Sequence, residues 1–176
     1  VLHERMHREA RALACARHPG VVPIFDAGSC EVHGPYLVLE RVEGRTLESF
    51  ILARQRLDVP SVVAIAVQLG EALAHVHRVG VVHRDVKPAN VLVTREPGRA
   101  GDTLKLVDFG IARVQAEVDE APSAPRLTRQ GELLGTVEYM SPEQFLEDTP
   151  PDTRTDVFSL GSLLYECLTG EVPFGD

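Results

Sequence analysis

The sequence is poor in several residue types that would indicate particular classes of protein. It has no tryptophan, aromatic residues make up only 5% of it, and it has three cysteines. Cys15, Cys30 and Cys167 form no C-x-x-C pair, which argues against a disulfide framework and favours reduced thiols in the cytoplasm. The longest unbroken apolar run covers residues 62–67, far short of the roughly 20 residues that span a bilayer. We therefore expect a cytoplasmic segment without membrane contact, although the complete gene product could be membrane-anchored.

Positive charge is also scarce. The chain has 18 basic and 26 acidic residues and a formal net charge of -8, which argues against nucleic acid as a partner. Only Lys87 and Lys105 are lysines, and all other basic residues are arginines. The hydrophobic content of 44% and charged content of 25% are ordinary for a globular protein, and 176 residues can bury a core.

Against this plain background, the chain contains two strings of polar residues with an evident chemistry. V-H-R-D-V-K-P-A-N contains Asp85, Lys87 and Asn90, and it is followed by D-F-G, which begins at Asp108. Phosphoryl transfer needs a group that accepts a hydroxyl proton, a cation at the phosphate and hard oxygen ligands for Mg²⁺. Asp85 can accept the proton, and Lys87 can supply the cation. Oxygen ligands for the metal can come from Asn90 and Asp108. The order and spacing of both strings favour transfer from a magnesium-bound nucleotide.

These strings resemble the catalytic domain of eukaryotic-like (Hanks-type) serine/threonine protein kinases of bacteria. Further matching strings lie along nearly the whole chain: R-E-A at 8–10, H-P-G-V-V at 18–22, Y-L-V-L-E-R-V-E-G at 36–44, G-T at 135–136, S-P-E at 141–143 and D-V-F-S-L-G at 156–161. The resemblance implies an α+β fold with two lobes, present here in part. Residues 1–42 would be the end of the small lobe and residues 43–176 the first part of the helical large lobe, with an activation segment at 108–143.

The resemblance also implies ATP and Mg²⁺ as cofactors and a protein substrate with a serine or threonine acceptor. The implied catalytic residues are Asp85, Lys87, Asn90 and Thr136. Asn90 and Asp108 would be the metal ligands. The implied nucleotide-binding residues are the gatekeeper Leu39, the hinge residues Glu40 and Val42, Leu92 beneath the adenine, Asp108, and Glu9 of the C-helix. His83 would pack on Phe109.

A regulatory site is implied next to the catalytic residues. Arg84, together with Arg113 and Arg5, would form a basic pocket that organises the activation loop around an anion. Phosphorylated Thr128 and the carboxylate of Glu132 compete for this role. We favour Thr128, because a phosphate carries more charge and more acceptor oxygens than a carboxylate.

Two departures from the family pattern leave an alternative open. No glycine-rich loop and no strand lysine precede Glu9, and the pattern normally continues beyond Asp176. We expect a piece of a kinase domain, truncated at both ends and inactive by itself. A catalytically inactive pseudokinase that acts as a binding or regulatory module is the alternative.

Two other enzyme classes share part of these patterns. The string H-E-x-x-H begins at His3 and is typical of zinc proteases, but a catalytic zinc needs a third protein ligand, and none stands out. Small-molecule phosphotransferases share the aspartate and asparagine but typically lack D-F-G and the segment from Gly135 to Glu143. Both classes fit the sequence less well than a protein kinase.

Hydrophobic periodicity and turn residues predict the secondary structure. The predicted helices cover residues 2–17, 46–54, 60–78 and 153–169. The predicted strands cover residues 21–25, 36–40, 91–93 and 104–107. Residues 114–131 are predicted to form a loop.

Overall fold

The computed structural model describes residues 13–14, 17–30, 34–95, 101–109, 137–145 and 151–174. In these ranges the chain forms a mixed α and β structure with one two-stranded and one three-stranded sheet. The strands are β1 (Ile24–Cys30), β2 (Gly34–Leu39), β3 (Arg45–Thr46), β4 (Val91–Thr94) and β5 (Thr103–Leu106). The helices are α1 (Leu47–Arg54), α2 (Val59–Arg78) and α3 (Thr153–Thr169), with 3₁₀ turns at Pro88–Asn90, Val137–Tyr139 and Pro142–Phe145.

Strands β1 and β2 form an antiparallel hairpin, and its first strand differs from the prediction. Strand β1 starts at Ile24 rather than at Val21, because Val21 forms a separate parallel bridge with Leu106. It then continues through Gly28 to Cys30, beyond the predicted end at residue 25. A Cβ atom at Gly28 would collide with the ring of Tyr36 on the partner strand. The glycine therefore makes room for an aromatic side chain within the hairpin.

Helices α1 and α2 begin at side-chain caps. Thr46 Oγ1 accepts a hydrogen bond from Ser49 N at 3.2 Å, and Asp58 Oδ1 accepts one from Ser61 N at 2.7 Å. Such caps satisfy backbone N–H groups that the first turn leaves free. Helix α2 ends at Arg78, and Gly80 follows with a φ of 79°. The predicted helices 46–54 and 60–78 are thus confirmed to within one residue at each end.

Helix α2 is the central helix of the described core. Its buried side chains are Val62, Ile65, Leu69, Ala72, Leu73 and Val76, and it packs against α3 and β5. By length and composition alone it is also apolar enough to cross a membrane. Core helices share that composition, and the burial of this face against neighbouring elements is the arrangement of a core helix.

Helix α3 runs beside α2 and matches the prediction of 153–169. Asp152 caps its first turn by accepting a hydrogen bond from Arg154 N at 2.8 Å. It ends at Thr169 and is followed by Gly170, whose left-handed φ of 83° is strained for a residue with a side chain. A Cβ atom there would also collide with the carbonyl oxygen of Gln55. Helix α3 places Asp156 and Leu163 in the interior, both without solvent exposure.

The three-stranded sheet has the order β3-β4-β5 and is antiparallel throughout. Val91 pairs with Leu106, and Leu92 pairs with Lys105. Each predicted strand here, 91–93 and 104–107, is confirmed to within one residue at each end. The predicted helix at 2–17 lies outside the described residues except for Leu13 and Ala14, which are helical, and Arg17. The predicted loop at 114–131 lies wholly outside them.

Candidate active site

The candidate site is formed by two segments that lie side by side. Residues 79–90 connect α2 to β4, and residues 107–109 follow β5. Val107 N donates to the carbonyl oxygen of Asn90 at 3.0 Å, and His83 Nε2 lies 3.1 Å from the carbonyl oxygen of Val107. These hydrogen bonds bring the H-R-D-V-K-P-A-N segment against the start of D-F-G, as the shared chemistry of the two strings requires.

The carboxylate of Asp85 is held by the two other polar residues of its own segment. Lys87 Nζ lies 3.1 Å from Asp85 Oδ2. Asn90 Nδ2 donates to the same oxygen at 2.9 Å and to the carbonyl oxygen of Asp85 at 2.8 Å. The side chains of Asp85 and Lys87 keep only 13% and 18% exposure. Three of the four predicted catalytic residues are therefore brought together, with a negative and a positive charge at a partly buried position.

Helix α3 fixes the backbone that directly precedes Asp85. Asp156 Oδ2 accepts from His83 N at 2.9 Å, and Asp156 Oδ1 accepts from Arg84 N at 2.8 Å. His77 Nε2 lies 2.7 Å from Asp156 Oδ2. Arg84 has a φ of 64°, a conformation that costs a non-glycine residue about 1–3 kcal/mol and persists only where neighbouring groups impose it.

His83 is a structural member of the site, as predicted. It is fully buried, and its ring lies 4.4 Å from that of Phe109, centroid to centroid. Burial lowers the pKa of His83, and the nearby carboxylates of Asp156 and Asp85 oppose this shift only in part. A neutral imidazole fits both of its hydrogen bonds, because Nε2 donates to the Val107 carbonyl and Nδ1 accepts from Asp85 N at 3.3 Å.

Residues 137–145 form a wall that contacts the backbone of Arg84 and is attached to α3. Ser159 Oγ donates to the carbonyl oxygen of Tyr139 at 2.8 Å. Tyr139 Oη donates to Glu166 Oε2 at 2.5 Å, and burial together with this bond raises the pKa of Tyr139. Thr155 Oγ1 donates to Glu143 Oε1 at 2.8 Å. Backbone and Thr155 hydrogen bonds hold the pKa of Glu143 below its usual range, so this anchor stays charged at neutral pH.

The predicted nucleotide-binding residues lie at the end of β2 and on β4. Leu39 ends β2, and Leu92 lies on β4 opposite Lys105; both leucines are half-buried. Glu40 N donates to the carbonyl oxygen of Pro23 at 2.9 Å, and Lys105 Nζ lies 3.8 Å from Glu40 Oε2. Val42 follows in irregular chain and is half-buried. The second lysine of the sequence thus connects the hinge segment to β5.

Six of the predicted site residues lie outside the described residues: Glu9, Arg5, Arg113, Thr128, Glu132 and Thr136. Asp108 is described: it is exposed and has a φ of 54°. Within the described ranges no group of three His, Cys, Asp or Glu side chains could hold a metal ion, and His3 and His7 of the zinc-like string lie outside these ranges.

Sequence reasoning missed three residues of this arrangement. Asp156 enters the sequence analysis only as the first residue of a family string, and neither His77 nor Gln144 is assigned to the site there. Gln144 Nε2 donates to the carbonyl oxygen of Arg84 at 3.0 Å. A family string contained Asp156, so that residue could have been found. Neither His77 nor Gln144 carries such a signal, because their partners are far away in the sequence.

Comparison with families of known proteins agrees with this geometry. The model of the protein kinase domain matches residues 1–176. The chain belongs to the protein kinase family. Its curated relatives include serine/threonine-protein kinase PknB of Mycobacterium leprae, 38% identical over 173 residues, with 97% of this chain and 26% of the relative covered. Serine/threonine-protein kinase PknL of Mycobacterium tuberculosis is 42% identical over 170 residues, with 97% and 39% covered.

A solved structure supports the fold over nearly the full chain. The PknI kinase domain of Mycobacterium tuberculosis, crystallised as a double mutant, matches with a TM-score of 0.73 and 26% identity. The match covers 99% of this chain and 58% of that domain. The fold is therefore that of a partial kinase domain. The chain spans about a quarter of PknB and two fifths of PknL.

Proposed function

We propose that this chain carries the catalytic centre of a serine/threonine protein kinase, which transfers a phosphoryl group from ATP to protein hydroxyls. The observation that supports this most directly is the contact of Asp85 with both Lys87 and Asn90. A carboxylate held in one orientation beside an ammonium group suits a reaction that depends on positioning and charge stabilisation. The relatives PknB and PknL are named serine/threonine-protein kinases, which supports the same activity.

The donor groups fit Mg²⁺ and ATP. Asn90 uses its amide nitrogen on Asp85, which leaves its amide oxygen for a cation. Asp108 adds an exposed carboxylate, and hard oxygens of this kind are preferred by Mg²⁺. In the described part of the chain, the Glu40 carbonyl and the Val42 N–H take part in no backbone hydrogen bond. These two groups are therefore available to an adenine ring, with Leu39 and Leu92 as apolar neighbours.

Each residue of the centre then has a distinct task. Asp85 orients the acceptor hydroxyl and takes its proton, while Asn90 keeps the carboxylate turned towards that hydroxyl. Lys87 contributes a compact positive charge at the transferred group, a role for which a bulky guanidinium is a poor substitute. Bound Mg²⁺ would spread the negative charge of the phosphates. Thr136 belongs to the same proposal as a partner of Asp85 and Lys87.

Regulation and location are further parts of the proposal. Arg84, Arg113 and Arg5 would bind phosphorylated Thr128, with Glu132 as the weaker organiser, so that Thr128→Ala lowers the rate more than Glu132→Ala. The segment would work in the cytoplasm, which supplies ATP. Among the described residues, Cys30 and Cys167 are thiols that no disulfide joins, and this supports the location because reduced cysteines are usual there.

The test is phosphorylation of a serine/threonine substrate by the purified full-length protein with ATP and Mg²⁺. Asp85→Asn keeps the size of the side chain but removes the proton acceptor, and we expect at least about a hundredfold loss of kcat. Asp102→Asn is the matched control, because Asp102 is exposed and pairs with Arg95. Equal labelling by wild type and Asp85→Asn would show that the activity does not arise at Asp85. Absence of labelling by wild type is the result that a binding-only pseudokinase requires.

A further inference from the structure

The peptide groups on both sides of Arg84 are held by different parts of the fold. Its N–H is bound by Asp156 of α3 at 2.8 Å, and its carbonyl oxygen by Gln144 Nε2 at 3.0 Å. Arg84 has the left-handed φ of 64° and directly precedes Asp85. Since a non-glycine residue adopts this conformation only under constraint, the two hydrogen bonds together set the direction in which the chain enters Asp85.

The other end of Gln144 is bound within its own segment. Gln144 Oε1 accepts from Ser141 N at 3.0 Å and lies 3.3 Å from Ser141 Oγ. Ser141 is fully buried. The segment itself is attached to α3 through Tyr139 and Glu143. The amide of Gln144 is thus fixed at its oxygen and donates from its nitrogen, so the bridge to Arg84 starts from a rigid base.

We propose that Gln144 is a positioning residue for phosphoryl transfer, acting through the Arg84 carbonyl on the orientation of Asp85. It would couple the wall formed by residues 137–145 to the loop of residues 79–90, which we call the catalytic loop. This loop would adopt its working shape only when the wall is in place. The inference rests on the proposed function. It assigns to Gln144 no contact with substrate or nucleotide.

The bridge needs an amide, because one end accepts and the other donates. Gln144→Glu keeps the size and the acceptor for Ser141 but replaces the donor with an oxygen that cannot donate when ionised. Gln144→Met keeps a similar length, adds no charge and removes both hydrogen bonds. A loss shared by the two variants therefore reports the bridge rather than the new charge.

Gln68 provides a matched control. Its Oε1 accepts from Leu104 N at 3.1 Å and its Nε2 donates to the Asp102 carbonyl at 3.4 Å. It is thus a second half-buried glutamine whose amide bonds to backbone at both ends, but it joins α2 to residues 102–104 and does not touch the loop that carries Asp85. Gln68→Glu measures what the loss of such a bridge does to the fold in general.

The experiment combines kinetics with hydrogen exchange on the full-length protein. We expect Gln144→Glu and Gln144→Met to lower kcat by roughly 10- to 100-fold, the size of effect that small misplacements cause, with KM for ATP within about twofold of wild type. Peptides that cover His83 to Asp85 should exchange faster in both variants. Gln68→Glu should leave kcat and this exchange unchanged while lowering the melting temperature.

The proposal fails if both Gln144 variants keep a kcat within about twofold of wild type, whether or not KM for ATP rises. Hydrogen exchange separates failure of the Gln144 bridge from failure of the proposed function. If Asp85→Asn has no effect on labelling, the proposed function fails. Faster exchange at His83–Asp85 in the Gln144 variants would still support the bridge in that case, and unchanged exchange would refute it.

Discussion

At the scale of single residues, the site combines a partly exposed ion pair with a fully buried histidine. Asp85 and Lys87 keep a little exposure and face each other. His83 lies one step deeper and is fully buried, so desolvation dominates and its pKa is lowered. His83 and Asp85 are close together in one string but lie at different depths, so their environments differ. The burial of His83 makes the stability of the fold depend on pH.

We predict that stability falls as the pH drops below the ordinary histidine pKa of about 6.5. In this range the unfolded chain binds a proton at His83 while the folded chain does not, and stability declines wherever the unfolded state binds more protons. The loss continues down to the lowered pKa of the folded state. Melting temperatures from about pH 7.5 to about pH 5.5 should decline in wild type and decline less steeply in His83→Phe. An equal slope in both would contradict the prediction.

At the scale of elements, local sequence predicts what local forces determine. The ends of α2 and α3 were predicted to within one residue, because capping side chains and glycines act within a single turn. The start of β1 was wrong, since Val21 pairs with Leu106 far along the chain. A large separation along the sequence also explains the missed residues. His77 and Asp156 are 79 positions apart, and Gln144 and Arg84 are 60 apart. Spacing within a string cannot reveal such pairs.

The contact between α2 and α3 through His77 and Asp156 gives a prediction at this scale. His77→Leu leaves one oxygen of a fully buried carboxylate without its side-chain donor, which costs roughly 1–3 kcal/mol of unfolding free energy. His77→Gln can place a donor near the position of Nε2 and should recover most of the loss. Urea denaturation measures both.

The matched control for this pair of variants is His75→Leu. His75 lies on the same helix and is half-buried, but its ring packs on His18 rather than on the carboxylate. A loss of stability in His75→Leu equal to that in His77→Leu, with no recovery in His77→Gln, would mean that α2 tolerates substitutions poorly and that the contact with Asp156 contributes little.

At the scale of the whole molecule, the catalytic loop and the core are one packed unit. Val81 and Val86 of the loop are 2% and 1% exposed and belong to the same hydrophobic cluster as Leu69, Leu106 and Leu163. Val81 and Val86 thus hold the loop on either side of His83, Arg84 and Asp85. The stability of α2 and the geometry around Asp85 consequently share their support.

The role of α2 as the centre of this unit leads to a prediction that compares two apolar residues of one helix. Leu69 is fully buried and Val67 is 54% exposed. Leu69→Ala should therefore cost about 2–5 kcal/mol of unfolding free energy through lost burial and a cavity, whereas Val67→Ala should change it by no more than about 0.5 kcal/mol. Urea denaturation followed by circular dichroism measures both. If Val67→Ala were as costly as Leu69→Ala, the apolar outer face of α2 would have to be covered in solution as well, and burial of its inner face would not be what holds the helix in place.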